Sequence, residues 1–241
     1  MAKVNGLGVR LYAAGYDLST DVSAISNISA QQELLDTTAL ATDARTRIIG
    51  LNDARIAVNG WFDAASGRSH AAWTSNSGKL PTADQIVLVT YGTSRGDAFS
   101  GLDCKQADYN VSRTPGSAVA TTVNYEGTAG AGVENGVLLT TGTTQTDSSA
   151  TTSASVDEGA TASGTAPAAY LEVISLDSGE ATVTVEDSGN NVSFSTKATF
   201  TSVTGRTSER VTAAGSSGRY LRVVTSGTFS NLVFVVGFSR G

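Results

Sequence analysis

The sequence predicts an all-β protein with one short helix, divided into two domains. Apolar and polar residues alternate in short runs, and these runs end at Gly, Ser or Asn residues typical of turns. Threonine, whose branched side chain suits a pleated surface, is frequent, while only 16% of the residues are charged against about 25% in a typical soluble domain. A Gly-rich stretch at 127–132 separates two regions, so we expect domains over 1–130 and 131–241.

The first strands are predicted near the N-terminus. Residues 7–13 alternate between apolar and polar side chains and end at a turn over 14–17, which predicts a strand. Residues 22–28 predict a second, short strand, and we expect the two to pair as a hairpin.

A polar segment with scattered apolar residues follows at 31–49. Its spacing is only approximately helical and several threonines disfavour a long helix, so we expect a partly extended segment. Asp43 is placed to cap a short helix over 44–48.

Four further elements complete the first domain. Residues 54–64 alternate and predict a strand with one apolar face, whereas 84–92 are apolar on both faces and predict a strand buried on both sides. Between them, 66–81 predict a short helix or a loop. Residues 103–129 predict two strands joined by a turn at 114–117.

The second region predicts a β-sandwich. Its start is rich in Ser, Thr and Ala over 140–166, but the apolar residues 137–139 and Val156 indicate edge strands there. Beyond it, strands follow one another at intervals of about ten residues, as in sandwich folds. Among them we predict separate strands at 168–175, 179–187, 218–226 and 231–239, with the last, apolar on both faces, in the middle of a sheet.

The chemistry-bearing residues are few. The single histidine, His70, and the single cysteine, Cys104, have no readable partner for a catalytic or metal site, so we expect no enzyme activity and no cofactor, with a hydrolase the least supported alternative. Cys104 is predicted to be a small buried residue. The net charge of −6 gives no basic surface for gripping nucleic acid, and no apolar run is long enough for a membrane span or a signal peptide.

Several stretches together resemble a known family. They are 16–19, 34–63, 109–124, 169–188 and 200–222. The chain resembles the major tail proteins, or tail tube proteins, of long non-contractile-tailed bacteriophages, and its last stretches resemble the C-terminal decoration domain of such proteins in phages of actinobacteria.

The resemblance implies a tail-tube-type β-sandwich or barrel domain followed by a jelly-roll-like β-sandwich. It implies a structural virion protein that self-assembles into hexameric rings, which stack into the tube that conducts DNA into the host. Each subunit would contribute two hairpins to a continuous barrel, with candidates at 7–13 with 22–28 and at 103–112 with 118–124. Partners would be the tape measure, tail tip and terminator proteins, with DNA only in transit and no membrane. The protein would be made in the host cytoplasm and reside in the virion tail.

Contact with a neighbouring subunit is expected along an arm over 34–51, which is more apolar than an exposed loop should be. The predicted interface residues are Leu35, Arg47, Ile48, Ile49, Leu51 and Asp53.

A binding module for surface carbohydrate or cell wall remains the alternative function. Sugar sites usually present exposed aromatic platforms. The aromatic residues after 166 occupy alternating strand positions that suit a core.

Overall fold

The computed structural model describes residues 6, 8–40, 43–74, 78–128, 132–163 and 166–241. Within these residues the fold is all-β with one short helix, as predicted, and its fifteen strands pair antiparallel. The strands are β1 (Arg10–Ala13), β2 (Tyr16–Asp17), β3 (Val22–Asp36), β4 (Arg47–Trp61), β5 (Gln85–Thr90), β6 (Ala98–Ser112), β7 (Ala120–Gly127), β8 (Glu134–Leu138), β9 (Gln145–Asp147), β10 (Thr151–Thr152), β11 (Val156–Asp157), β12 (Ala168–Ser188), β13 (Ser195–Thr199), β14 (Thr207–Thr212) and β15 (Tyr220–Ser239).

The helix α1 (Ser69–Trp73) lies between β4 and β5, inside the segment predicted as a short helix or loop. No helix among the described residues has the length and apolar character needed to cross a membrane.

Three hydrophobic cores of the described residues arrange the strands in four layers. The first core lies between β3, β4, β7 and the end of β6 on one side, and β1, β5 and the start of β6 on the other. The second core joins β1, β5 and the start of β6 to β12 and β15. The third core lies within the second region, among β12, β13 and β15. The domain boundary near residue 130 stays a prediction, since the second core takes side chains from both sides of it.

Strand β5 shows how one element serves two cores. All of its residues are buried. Val87 and Val89 face the first core, and Ile86 and Leu88 face the second. Because neighbouring side chains on a strand point to opposite faces, a strand between two cores must be apolar on both. The prediction of a doubly buried strand is confirmed.

The second region is a sandwich made by folding one long ladder. β12 and β15 pair from Ala168↔Ser239 to Ser188↔Tyr220. Near the middle, Gly179 and Gly227 have positive φ angles of 87° and 111°, and a Cβ on Gly179 would lie 2.1 Å from the Thr228 carbonyl oxygen. Glycine tolerates this backbone conformation, which other residues rarely adopt. Side chains from both halves of the ladder meet in the third core, so the ladder bends back on itself.

This bend corrects the prediction of separate strands. The segments 168–175 and 179–187 belong to one strand, β12, and 218–226 and 231–239 belong to β15. The glycines that resemble turn residues in the sequence are the bending points of continuous strands. The last strand lies mid-sheet as predicted, with β12 on one side and β8 and β9 on the other.

A buried ion pair lies within the second region, where it joins β14 to β8. Arg210 on β14 donates two hydrogen bonds to Glu134 on β8, at 2.6 and 2.8 Å, and both side chains are nearly nine-tenths buried. Tyr170 donates its hydroxyl proton to the same carboxylate. The hydrogen bond from Arg210 to Glu134 raises the pKa of the guanidinium, and burial raises the pKa of Tyr170, so the guanidinium is charged and the phenol is neutral.

A second buried carboxyl, Glu172 on β12, connects the second region to the first. Its Oε2 accepts a hydrogen bond of 2.5 Å from the backbone N–H of Gly15, in the β1–β2 turn, and its Oε1 is buried with no hydrogen-bond partner among the described residues. Burial raises the pKa of Glu172 well above the ordinary value of 4.5, because the charged form loses its hydration.

The predicted N-terminal hairpin is wrong. β1 pairs with β2 and with β5, whereas β3 pairs with β4. The turn at Ala14–Gly15, where both φ angles are positive, closes a tight β1–β2 hairpin instead. β1 is buried on both faces because it lies in the interior of the protein, beside β5.

The predicted helix over 44–48 is also wrong. β4 begins at Arg47, and β3 continues to Asp36, well beyond the predicted end at 28. Ile48 and Ile49 pair with Leu35 and Leu34 across the two strands. Branched side chains favour such cross-strand pairs over a short helix, and this pairing outweighs the capping residue.

Candidate assembly surface

A four-stranded sheet forms one outer layer of the molecule, in the order β3, β4, β7 and the end of β6. One face packs on the first core through alternate residues, among them Ile56, Val58, Val123 and Tyr125. The predicted hairpin of 103–112 with 118–124 is confirmed as β6–β7. The second hairpin of the sheet is β3–β4, and β4–β7 pairing joins the two.

The other face of this sheet, here called the open face, carries short polar side chains. Directly opposed residues on paired strands share a face, so the register gives its rows. One row is Asn27, Ala57, Asn124 and Asp108, and the next is Ala24, Asn59, Thr122 and Asn110.

The charges on the open face are balanced. Arg55 and Glu126 are opposed on β4 and β7 and lie 3.2 Å apart. The Asp108 carboxylate accepts hydrogen bonds from the backbone and side-chain nitrogens of Asn124, at 3.0 and 2.6 Å. Lys105 lies 2.6 Å from Asp84. The open face is therefore polar and hydrated, with little net charge to attract a polyanion.

Both edges of the four-stranded sheet are free in the described part of the chain. β3 pairs only with β4, and residues 105–112 of β6 pair only with β7. A long free edge presents unpaired N–H and C=O groups and is a template for pairing with another chain. The two edges run in opposite directions, because four antiparallel strands alternate in polarity.

Two of the three register shifts between β3 and β4 are bulges at serines near the start of the β3 edge. The register with β4 shifts around Ser23 and again around Ser26. Each bulge serine donates its hydroxyl to a β4 carbonyl, Ser23 to Asn59 and Ser26 to Ala57, both at 3.1 Å. Bulges increase the local twist of a sheet, so this edge curves.

The arm continues β3 and β4 beyond the first core. Its predicted interface residues lie together near its end: Leu35 faces Ile48, and Arg47 faces Asp36. Leu35, Ile48, Ile49 and Leu51 are 42% to 79% exposed. Asp53, opposite Gln31, lies at the base of the arm and not in this cluster. Their interface role stays a prediction.

Two exposed apolar residues of the arm are missing from the predicted set. Leu34 pairs with Ile49 and is 59% exposed, and Leu40 lies at the tip. The sequence signal for both was available, since each is an apolar residue in an otherwise polar run.

The arm tip is locally ordered by hydrogen bonds. Asp36 accepts hydrogen bonds from the backbone N–H and the hydroxyl of Thr38, and these hydrogen bonds lower the pKa of the Asp36 carboxyl. Thr37 donates its N–H to the Thr46 carbonyl at 2.9 Å. Asp36 is therefore an exposed, ionised carboxylate at the end of an apolar hairpin.

A groove lies at the opposite end of β3, between β1 and residues 22–28. It encloses about 440 Å³. Its apolar lining comes from Val9, Leu11, Val22, Ile25, Ile28 and Tyr91. Arg10 also lines the groove, and its Nε is buried without a hydrogen-bond partner among the described residues.

Cys104 and His70, the two residues considered for catalysis, are each packed against other side chains or buried in the fold. Cys104 is fully buried, as predicted, and burial raises the pKa of its thiol. The Nδ1 of His70 lies 3.0 Å from the Tyr109 hydroxyl, and its ring packs on Phe62. Among the described residues no group of three His, Cys, Asp or Glu side chains is arranged to hold a metal ion.

The aromatic side chains of the second region lie mostly inside it. Tyr170, Phe200, Phe234 and Phe238 are buried. The half-exposed Phe194 is covered by the guanidinium of Arg222, 3.8 Å from its ring centroid. In the described part of this region the aromatic rings therefore form no open platform for a sugar.

Comparisons with known proteins give only distant likenesses. No family model matches the chain, and no curated protein matches it. Among solved structures, the Dit protein of phage SPP1, described as a paradigm of the hub of the adsorption apparatus in phages infecting Gram-positive bacteria, is similar at 12% identity and TM-score 0.33, over 95% of this chain and 98% of that one. A chain of infectious bursal disease virus, Gx strain, is similar at 11% identity and TM-score 0.30, over 99% of this chain and 68% of that one. Both TM-scores are low, so neither likeness carries an argument, and the function is argued from the geometry of the chain itself.

Proposed function

We propose that the protein is a structural subunit of a phage tail and that its copies form rings that stack into the tail tube. The observation that carries this proposal is the four-stranded sheet, whose two edges are unpaired among the described residues and whose open face has balanced charges. A structural role also suits the chemistry of the site, in which the lone thiol is buried.

Ring closure would occur by pairing of edges. The β3 edge of one copy and the β6 edge of the next have opposite polarity, so joining them continues the antiparallel alternation around a closed barrel. Closure satisfies the exposed backbone groups of both edges and removes the hazard that free edges carry.

The open face would line the lumen. Its short Asn, Thr, Ser and Ala side chains and balanced charges suit a conduit through which DNA slides without specific binding. The second region lies on the other side of the first core, away from the open face, and would therefore decorate the outside of the tube.

The remaining features of the proposal follow from the tail role. Rings of six copies would stack, and the ends of the tube would contact the tape measure, tail tip and terminator proteins. The subunit would be made in the host cytoplasm and reside in the virion, with no catalytic activity and no cofactor.

The edge contact is tested with Val111→Lys. Val111 lies near the end of the β6 edge and is 49% exposed, so the fold does not need it, but a charged side chain there would be trapped at a subunit contact. We expect the wild-type protein at high concentration to form rings and tubes in negative-stain electron micrographs and the variant to remain monomeric.

The matched control is Val192→Lys, which changes an 81% exposed residue of the second region and should assemble like the wild type. Compact monomers alone in the wild-type micrographs would overturn the proposed function. Assembly of Val111→Lys like the wild type would overturn edge pairing through β6.

A further inference from the structure

Resting on the proposed function, we infer that the arm of one copy docks into the groove between β1 and β3 of a copy in the next ring, with Asp36 facing Arg10. The partner is a second copy of this chain, and the contact is axial. It is separate from the edge pairing that closes a ring.

The apolar parts of the two surfaces match. The arm carries exposed leucines and isoleucines on both of its faces, with Leu34 beside Ile49 and Leu35 beside Ile48. The groove is lined mainly by aliphatic side chains and one tyrosine. Docking would remove apolar surface from water on both sides, which is the main driving force of association.

The positions of the two surfaces require that the arm and the groove come from different chains. The groove lies along residues 22–28 of β3, and the arm tip follows its last residue, so roughly 25 to 45 Å of extended strand separate them. An arm therefore cannot fold back into the groove of its own chain. A contact between two different surfaces is heterologous, and repeating it along one direction builds an open-ended stack.

The charges match as well. Arg10 brings a guanidinium whose Nε lacks a partner in the described residues, inside a mainly apolar groove. Asp36 brings an exposed carboxylate at the end of an apolar hairpin. A bidentate pair between a guanidinium and a carboxylate is strong and directional, and it would fix the depth to which the arm inserts.

Charge reversal tests the pair in the intact protein. We expect Arg10→Glu and Asp36→Arg each to raise the concentration needed for ring stacking by about tenfold or more. Sedimentation velocity and electron microscopy measure this concentration. Rings should persist in both variants. The combined variant Arg10→Glu/Asp36→Arg should recover stacking, and Arg45→Glu, on the same arm, serves as the charge control and should stack normally.

Disulfide trapping tests the contact without requiring tubes. A chain with Leu35→Cys is mixed with a chain with Ile25→Cys under mild oxidation, and we expect covalent heterodimers. Mixing Ile25→Cys with Val192→Cys is the control and should give none. The native Cys104 is fully buried and does not compete.

The outcomes separate the two proposals. Wild-type tubes with normal stacking of both charge variants, or with no Leu35–Ile25 cross-link, would overturn arm docking and leave the tail-tube function standing. A cross-link without rings or tubes would support the docking and overturn the tube.

Discussion

Arg210→Met is expected to lower the free energy of unfolding by about 3–5 kcal/mol, because it leaves the carboxylate of Glu134 buried without its ionic partner. Tyr170 alone cannot compensate for the lost charge, since burial keeps its hydroxyl neutral. Urea denaturation at neutral pH measures the change.

The matched control for that experiment is Arg219→Met. Arg219 pairs with Asp157 at 2.6 Å, but both side chains are more than two-fifths exposed, so the loss should be much smaller than for Arg210→Met. The double variant Arg210→Met/Glu134→Leu should recover part of the stability, because it removes the unpaired charge. Equal losses for Arg210→Met and Arg219→Met would contradict the importance of the buried pair.

Glu172→Gln is expected to stabilise the protein increasingly as the pH rises. The pKa of Glu172 is raised in the folded state by burial, so the folded protein holds a proton that the unfolded chain releases above its ordinary pKa of 4.5. The favourable contribution is therefore complete below pH 4.5 and is lost as the pH rises towards the folded-state pKa. Within that window the wild type should lose about 1.4 kcal/mol per pH unit from this group.

An amide at position 172 keeps an acceptor for the Gly15 N–H and does not ionise, so the variant should lack this component of the pH dependence. Denaturation curves between pH 4 and pH 9 for the two proteins measure the difference. Glu33→Gln, at an exposed position of β3, is the control and should leave the pH profile of the wild type unchanged. Parallel profiles for wild type and Glu172→Gln would contradict the buried-acid interpretation.

The faces of the strands could be predicted from the sequence, but their partners could not. The alternation of Ile56 and Val58 with Ala57 and Asn59 fixes which side of β4 is buried, because only one side meets a core. Alternation contains no information on which strand lies alongside. The predicted pairing of the 7–13 strand with β3 is therefore wrong. Its actual position beside β5 depends on residues far away in the sequence.

Glycines misled the sequence interpretation in the second region. Gly179 and Gly227 follow serines in a run of alternating residues, a pattern that usually predicts a turn. In the fold they allow two paired strands to bend together. Only the long-range pairing of β12 with β15 distinguishes the two outcomes.

The candidate site was predictable in its apolar half. Ile48, Ile49 and Leu51 were identified because apolar residues in a polar segment are unusual, and they lie exposed on the arm. Arg10 was missed, since a single arginine in a strand has no spacing signal. Its environment arises only when β1 and β3 come together around the groove.

The bent β12–β15 ladder also determines how the second region should come apart. Since the same two strands run through both of its layers, neither layer can open without breaking backbone hydrogen bonds that the other also requires. The amides of β12 and β15 on either side of Gly179 and Gly227 should therefore exchange with deuterium as one cooperative unit rather than as two foldons of different stability. A bend in a continuous ladder thus gives a two-layer domain the unfolding behaviour of a single element.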